Sequence, residues 1–238
     1  MGGNRLAGPA LELVFPSFCH LCRRSAEESL PLCPDCLEQI ERIGKSRCEI
    51  CGKGFTGETP DRRCGDCLGH QPAFARARAF ARYQDPMLSI IHRFKYNRGF
   101  YFLDWMIQGL LGVYQREFSE EKFELLVPIP LHWRRILRRG YNQAFILAKP
   151  VSQKLGIPIA PGAMIRTRNT EAQAGLSPAQ RKENVKKSFR VKSQKLVAEK
   201  RILLIDDVIT TGITINEAAK TLKKAGAERV CALALART

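Results

Sequence analysis

The order of apolar and polar positions predicts alternating strands and helices along this 238-residue chain. Residues 202–205 are four consecutive apolar residues and 125–130 form a similar run, which predicts strands buried on both faces of a parallel sheet. Residues 73–83 alternate small or apolar residues with arginine, as a half-buried strand does. Residues 230–236 form another apolar strand, in which we expect Cys231 to be an inert core thiol.

Apolar residues spaced three or four positions apart predict helices between these strands. The predicted helices span 85–95, 100–118, about 143–155 and 215–225. Thr214 and Glu217 have the spacing of a capping box at the start of the last helix. Polar interruptions at Asp104 and Arg116 make the 100–118 helix amphipathic, which argues against a membrane span. Strands that alternate with helices favour an α/β fold, with a mostly parallel sheet flanked by helices.

The segment 202–214 contains, in order, a strand, two carboxylates, a small polar loop and a helix. The loop Thr210-Thr211-Gly212-Ile213-Thr214 can surround a phosphate with backbone N–H groups and hydroxyls, and glycine permits a close approach. Asp206 and Asp207 can accept hydrogen bonds from ribose hydroxyls or hold the water shell of magnesium. P-loop NTPases also have an apolar strand that ends in acidic residues, but no G-x-x-x-x-G-K-[ST] motif accompanies it here.

Residues 131–143 place a group of cations behind the 125–130 strand, at the edge of a parallel sheet where ligands bind. The segment contains four arginines and two aromatic residues: Arg134, Arg135, Arg138, Arg139, Trp133 and Tyr141. This composition suits a pyrophosphate or a stacked single-stranded nucleic acid, and the alternative is a solvated basic loop. At the end of the 85–95 helix, Lys95, Tyr96 and Arg98 face either an anionic site or solvent.

Eight of the nine cysteines form four C-x-x-C pairs, separated by 10, 11 and 12 residues. The pairs are Cys19/Cys22, Cys33/Cys36, Cys48/Cys51 and Cys64/Cys67. Two such pairs complete a tetrahedral zinc site, so we expect two structural zinc ions with no open position for water. Sequential pairing is expected, with cross-braced pairing as the alternative. Because no secretion signal opens the sequence, disulfides are the weaker interpretation.

The net charge of +16 is distributed unevenly along the chain. Residues 1–72 contain 9 Lys or Arg against 10 Asp or Glu, and residues 73–238 contain 30 against 13. The basic part therefore has more cations than a single phosphorylated sugar requires, and one interpretation is a nucleic acid as a second ligand. The alternative is a solvated basic surface that keeps the protein soluble. Eight thiolates and two zinc dications would add negative charge to residues 1–72, so the ribbons should not be the main surface for nucleic acid.

Residues 202–214 resemble the signature of type I phosphoribosyltransferases that binds 5-phosphoribosyl 1-pyrophosphate (PRPP). With the other motifs, the chain resembles the ComF family of competence-associated phosphoribosyltransferase-like proteins, which have an N-terminal double zinc ribbon. The motifs that carry the resemblance are the eight cysteines and residues 94–96, 127–132, 138–143, 166–184 and 206–214. The segment 166–184 also looks like the flexible loop of glutamine amidophosphoribosyltransferases.

The resemblance implies a type I phosphoribosyltransferase fold over residues 73–238, preceded by a double zinc ribbon over 1–72. It assigns the phosphate to Thr210, Thr211, Gly212, the backbone of Ile213, and Thr214. It assigns ribose hydroxyls and magnesium-bound water to Asp206 and Asp207. We expect Arg139 and its loop, with Lys95, to bind the pyrophosphate, and residues 166–181 to form a closing lid that includes Arg166, Thr170, Gln173 and Arg181.

For function, the resemblance implies cytoplasmic handling of incoming single-stranded DNA during natural transformation, beside a helicase-like partner. An active enzyme would transfer a phosphoribosyl group from PRPP with magnesium. The acceptor stays open, because no residue stands out as a general base. The alternatives are a non-catalytic accessory protein that binds single-stranded nucleic acid and a zinc-ribbon docking partner of a DNA-uptake helicase.

Overall fold

The computed structural model describes residues 18–27, 30–55, 63–168 and 186–238. Its strands are β1 (Arg76–Arg82), β2 (Leu125–Pro128), β3 (Met164–Arg166), β4 (Phe189–Val191), β5 (Arg201–Ile209) and β6 (Arg229–Arg237). Four of them form a parallel sheet in the order β1-β6-β5-β2, and β3 pairs with β4 in a separate antiparallel ribbon. The predicted parallel α/β sheet is therefore confirmed.

Helices cover the sheet and follow most of the predicted spans. They are α1 (Pro34–Glu38), α2 (Gly65–Gly69), α3 (Met87–Tyr96), α4 (Leu103–Glu117), α5 (Trp133–Arg139), α6 (Gln143–Leu155) and α7 (Ile213–Lys224). Short 3₁₀ turns occupy Phe100–Phe102 and Gln194–Leu196. Among the residues that the structure describes, no helix has the length and apolar character needed to cross a membrane.

Two helix starts differ from the predictions. Part of the segment expected as a basic loop is α5, which begins where the His132 ring accepts a hydrogen bond from the Arg134 N–H at 3.3 Å and ends at Gly140, with φ +88°. The predicted capping box at α7 is wrong. The helix starts at Ile213 after Gly212 in the left-handed conformation, and the Glu217 carboxylate instead accepts the Lys187 N–H at 2.7 Å.

The sheet separates two hydrophobic clusters. In β5, Leu203 and Ile205 belong to one cluster and Ile202 and Leu204 to the other, so this strand is buried on both faces as predicted. The half-buried prediction for the first strand is wrong, because β1 is also covered on both faces. Arg78 is only 7% exposed there, since its Nε donates to the Glu117 carboxylate at 2.8 Å.

The cysteine-rich segments pack directly on this sheet. Cys19, Cys33 and Cys36 belong to the cluster that contains residues of α3 and α4, and the last four cysteines belong to the cluster that contains residues of α7. Between them, the chain runs along β1: the Arg82 N–H donates to the Glu41 carbonyl at 2.8 Å, and the Ala77 N–H donates to the Ile50 carbonyl at 2.7 Å. These bonds cover the otherwise open edge of the sheet. The domain boundary after residue 72 stays a prediction.

Candidate functional site

A cavity of about 210 Å³ lies where the carboxyl ends of β2 and β5 meet the start of α7. The predicted site residues that line it are Lys95, Arg139, Arg166, Asp206, Asp207, Thr210, Gly212 and Thr214. Thr211 and Ile213 belong to the same loop but do not line the cavity. Thr170, Gln173 and Arg181 lie outside the described residues. The structure thus brings together side chains that four separate segments of the sequence contribute.

Asp207 is held by an ion pair with Lys95, whose Nζ lies 2.7 Å from Asp207 Oδ2. The other carboxylate oxygen accepts the Val208 N–H at 2.9 Å. Burial lowers the pKa of Lys95, but the charge and hydrogen bond of Asp207 outweigh it, so the pKa lies above its ordinary value. The ammonium therefore stays charged and fixes one carboxylate of the pair.

Asp206 has a different environment. Its Oδ1 accepts the Asp207 N–H at 2.9 Å. Burial, followed by the charge of Asp207, raises the pKa of Asp206 well above the ordinary range, although Lys95 opposes this effect. Burial and Asp207 thus disfavour the charged form of Asp206. A ligand that brings hydroxyl donors or a cation would stabilise this charged form.

The loop between β5 and α7 has the geometry of an anion site. Gly212 adopts φ +76°, a conformation that costs other residues more, and α7 starts directly after it. The first N–H groups of a helix have no partners within the helix, and the helix dipole is positive at this end. With Thr210 and Thr214 also lining the cavity, the loop can hold a phosphate.

The cavity also has a basic wall, formed by three lining arginines outside this loop: Arg135, Arg139 and Arg166. Arg139 donates to the Gln143 side-chain oxygen at 2.8 Å and to the Tyr96 hydroxyl at 3.1 Å, and its guanidinium lies 4.8 Å from the centre of the Tyr96 ring. Gln143 is 2% exposed, and its Nε2 has no hydrogen-bond partner among the described residues. Gln143 itself lines the cavity, and its side-chain oxygen holds the Arg139 guanidinium in the cavity wall. The sequence prediction quoted Gln143 only as part of a motif; its position after Asn142, the N-cap of α6, could have identified it.

Arg166, at the end of β3, lines the cavity and stacks 5.4 Å from the centre of the Phe189 ring. Burial and the charge of Arg135 lower its pKa to about 10, and Asp206 opposes that shift. Arg135 also lines the cavity, although the sequence prediction named it only as one of four loop arginines. The two guanidinium groups repel each other, which favours an anion between them.

The cysteines form two separate tetrads. Within each, the four sulfur atoms lie within 4.8 Å of one another: Cys19, Cys22, Cys33 and Cys36 in the first, and Cys48, Cys51, Cys64 and Cys67 in the second. Sequential pairing is therefore confirmed. A tetrahedral zinc with Zn–S bonds of about 2.3 Å requires sulfurs about 3.8 Å apart. The 3.6 Å Cys22–Cys33 and 3.5 Å Cys51–Cys64 distances, together with the four-thiol donor set, fit structural zinc.

Protein families match both parts of the chain. The double zinc ribbon domain matches residues 10–68, and the phosphoribosyl transferase domain matches residues 141–238. The second match includes the acidic pair and the loop before α7. The chain thus has a phosphoribosyltransferase-type domain preceded by a double zinc ribbon, as predicted.

Curated relatives extend over most of the chain. Competence protein F of Haemophilus influenzae is 34% identical over 211 residues, covering 87% of this chain and 90% of that protein. The DNA utilization protein YhgH of Escherichia coli K12 is 33% identical, covering 95% and 99%. Competence protein ComFC of Streptococcus pneumoniae is 30% identical, covering 98% of each. With this similarity along nearly its whole length, the chain belongs to the ComF family of competence and DNA-utilisation proteins.

Proposed function

We propose that this chain binds PRPP in the cavity at the carboxyl edge of the sheet. The observation that carries the proposal is the meeting of an acidic pair, a helix N-terminus and a basic wall around one cavity of about 210 Å³. PRPP has a phosphate, two ribose hydroxyls and a pyrophosphate in sequence along its length. The loop before α7, Asp206 and Arg139 offer a matching group for each of these parts around the same cavity.

The roles follow from the contacts. Thr210, Gly212 and Thr214 hold the 5-phosphate, with the backbone of Thr211 and Ile213. Asp206 accepts from the ribose hydroxyls, and Lys95 positions Asp207 beside it. Arg139, held in place by the Gln143 side chain, faces the pyrophosphate. A lid over 166–181 remains part of the proposal. Of the four lid residues that the sequence analysis named, only Arg166 lies within the described residues.

Magnesium fits the same site, because Asp206 is a carboxylate that neighbouring charge and burial disfavour. Asp206 and Asp207 would face the water ligands of an ion carried by the pyrophosphate. When bound, such an ion neutralises charge on the leaving group. The protein itself orients the ribose and excludes water, and the basic wall stabilises the charge that develops as the pyrophosphate leaves the anomeric carbon.

Replacing Arg139 by methionine tests phosphoribosyl transfer. We expect pyrophosphate release from PRPP, assayed across a panel of bases, amines and nucleic acids, to fall by about 100-fold, because a cation that meets developing charge contributes mainly to kcat. Arg138→Met is the matched control, since Arg138 is exposed on the same helix and carries the same charge. Equal loss in both variants would contradict the specific role of Arg139. No pyrophosphate release by the wild-type chain with any acceptor would contradict an enzymatic role.

A second function, binding of single-stranded DNA, is favoured by the surface of α5. No residue of this helix is buried, and Trp133 and Leu137 are 57% and 75% exposed. The Arg134 guanidinium lies 5.3 Å from the centre of the Trp133 ring. Exposed aromatic faces beside arginines suit stacked bases and the phosphate backbone. The competence and DNA-utilisation names of the relatives support this proposal.

Trp133→Ala should weaken binding of labelled oligodeoxythymidylate about tenfold, as measured by fluorescence anisotropy, since stacking contributes about 1–3 kcal/mol per base. The affinity of the wild-type chain should fall steeply with salt. Leu68→Ala is the control, because Leu68 is 60% exposed but lies on the second zinc ribbon. Affinity that is independent of salt, or equal in Trp133→Ala and the wild-type chain, would remove α5 as the DNA surface.

In this proposal the protein acts in the cytoplasm on incoming single-stranded DNA, beside a helicase-like partner. The zinc ribbons stabilise the fold or dock that partner and do not form the main DNA surface. Part of the basic charge elsewhere in the chain is neutralised by ion pairs: Arg78 and Arg47 pair with Glu117, and Arg201 and Arg229 pair with Glu121.

A further inference from the structure

Arg237, the last residue of β6, is a buried cation that the proposed PRPP contacts do not use. It is only 5% exposed, and among the described residues its Nε and Nη1 have no hydrogen-bond partner. A guanidinium taken from water without partners costs several kcal/mol unless negative charge lies nearby. The groups near Arg237 therefore indicate the role of this buried charge.

The Arg237 guanidinium lies beside the proposed phosphate loop. Its Nη1 lies 3.9 Å from the point that a Cβ would occupy on Gly212. The strand register holds it there, since Arg237 lies opposite Ile209 of β5 and the Thr238 N–H donates to the Ile209 carbonyl at 3.2 Å. Arg237 does not line the cavity, so it approaches the loop from behind.

Arg237 differs from the arginine beside it in the sheet. Arg82 already pairs with Glu41. The unpartnered Nε and Nη1 of Arg237 leave a buried positive charge beside the loop. An anion bound in the loop would supply the negative charge that this guanidinium needs.

We propose that Arg237 is a phosphate-positioning residue that supports the loop before α7 from behind Gly212. The inference rests on the proposed phosphate site. When a phosphate occupies the loop, the buried guanidinium stabilises it through a few ångströms of low-dielectric protein. The phosphate in turn offsets the cost of burying a guanidinium whose Nε and Nη1 have no hydrogen-bond partner among the described residues.

The test uses the full-length, zinc-loaded chain and titrates ribose 5-phosphate, which probes the phosphate loop without the pyrophosphate, by calorimetry. Arg237→Met should weaken binding about tenfold, and Arg237→Lys should weaken it less because the charge is kept. Arg229→Met is the matched control, since Arg229 lies at the other end of β6 and pairs with Glu121. We expect the control to bind like the wild-type chain.

The conservative variant separates this role from a merely structural one, because Arg237→Lys keeps the charge but not the shape of the guanidinium. If Arg237→Met does not fold, Arg237→Lys is used alone and should show the smaller effect. Wild-type affinity in a folded Arg237 variant would overturn the inference alone. Failure of the wild-type chain to bind ribose 5-phosphate would overturn the proposed phosphate site and this inference with it.

Discussion

Asp207→Ala is expected to abolish pyrophosphate release from PRPP and to lower the free energy of unfolding by about 3 kcal/mol. The Lys95 and Asp207 side chains are only 19% and 12% exposed, and their charged atoms lie 2.7 Å apart. Removing the carboxylate leaves a buried ammonium without its partner, which is far more costly than losing a surface ion pair. Urea denaturation measures the stability, and a pyrophosphate assay measures turnover.

The double variant Lys95→Met with Asp207→Leu is the control. Because it removes both charges and keeps apolar volume, we expect it to be more stable than Asp207→Ala, while turnover stays absent. The pKa of Lys95 is raised by folding, so its contribution is fully present below its unfolded pKa of about 10.5 and is lost as pH rises through the higher folded value. If Asp207→Ala were as stable as the double variant, the unpaired Lys95 ammonium would not be the cause of the stability loss.

Asp206→Asn is expected to have the opposite effect on stability while also abolishing turnover. Because folding raises the pKa of Asp206, the folded protein holds a proton more tightly than the unfolded chain, and stability falls as pH rises above the ordinary aspartate range. A neutral amide removes that cost. We expect a gain of about 1 kcal/mol, or roughly 2–4 °C in Tm, at pH 7 without ligand.

Scanning calorimetry at several pH values measures this effect. The gain should shrink below about pH 4, where aspartate is protonated in both states. A lower Tm for Asp206→Asn at neutral pH would contradict the electrostatic description of the acidic pair. Opposite stability changes from two adjacent carboxylates, with the same loss of function, would indicate that one is anchored and the other is kept for the ligand.

The central strand and its loop could be predicted because their information is local. Four consecutive apolar residues, two aspartates and a glycine in the loop define β5 and the start of α7 within thirteen positions. The tetrads could be predicted for a related reason, since C-x-x-C spacing fixes two ligands on one turn. In both cases neighbours in the sequence are neighbours at the site.

The features that were missed depend on residues distant in the chain. Arg78 reads as an exposed position in an alternating strand, but it is buried because Glu117, 39 residues away, pairs with it. Helix α5 has apolar residues at helical spacing, Trp133, Ile136 and Leu137, but all three are exposed and four arginines surround them, so the sequence predicted a basic loop. The start of α7 depends on the left-handed conformation of Gly212, whereas the Thr214–Glu217 pattern predicted a later start.

Calorimetric titration of PRPP into the full-length chain, with magnesium present, tests the central claim most directly. The wild-type chain should bind one PRPP per molecule, ribose 5-phosphate should compete, and the heat should disappear in Asp206→Asn although that variant is folded. Saturable binding that is unchanged in Asp206→Asn, or no binding by the wild-type chain, would contradict a PRPP site at the end of β5.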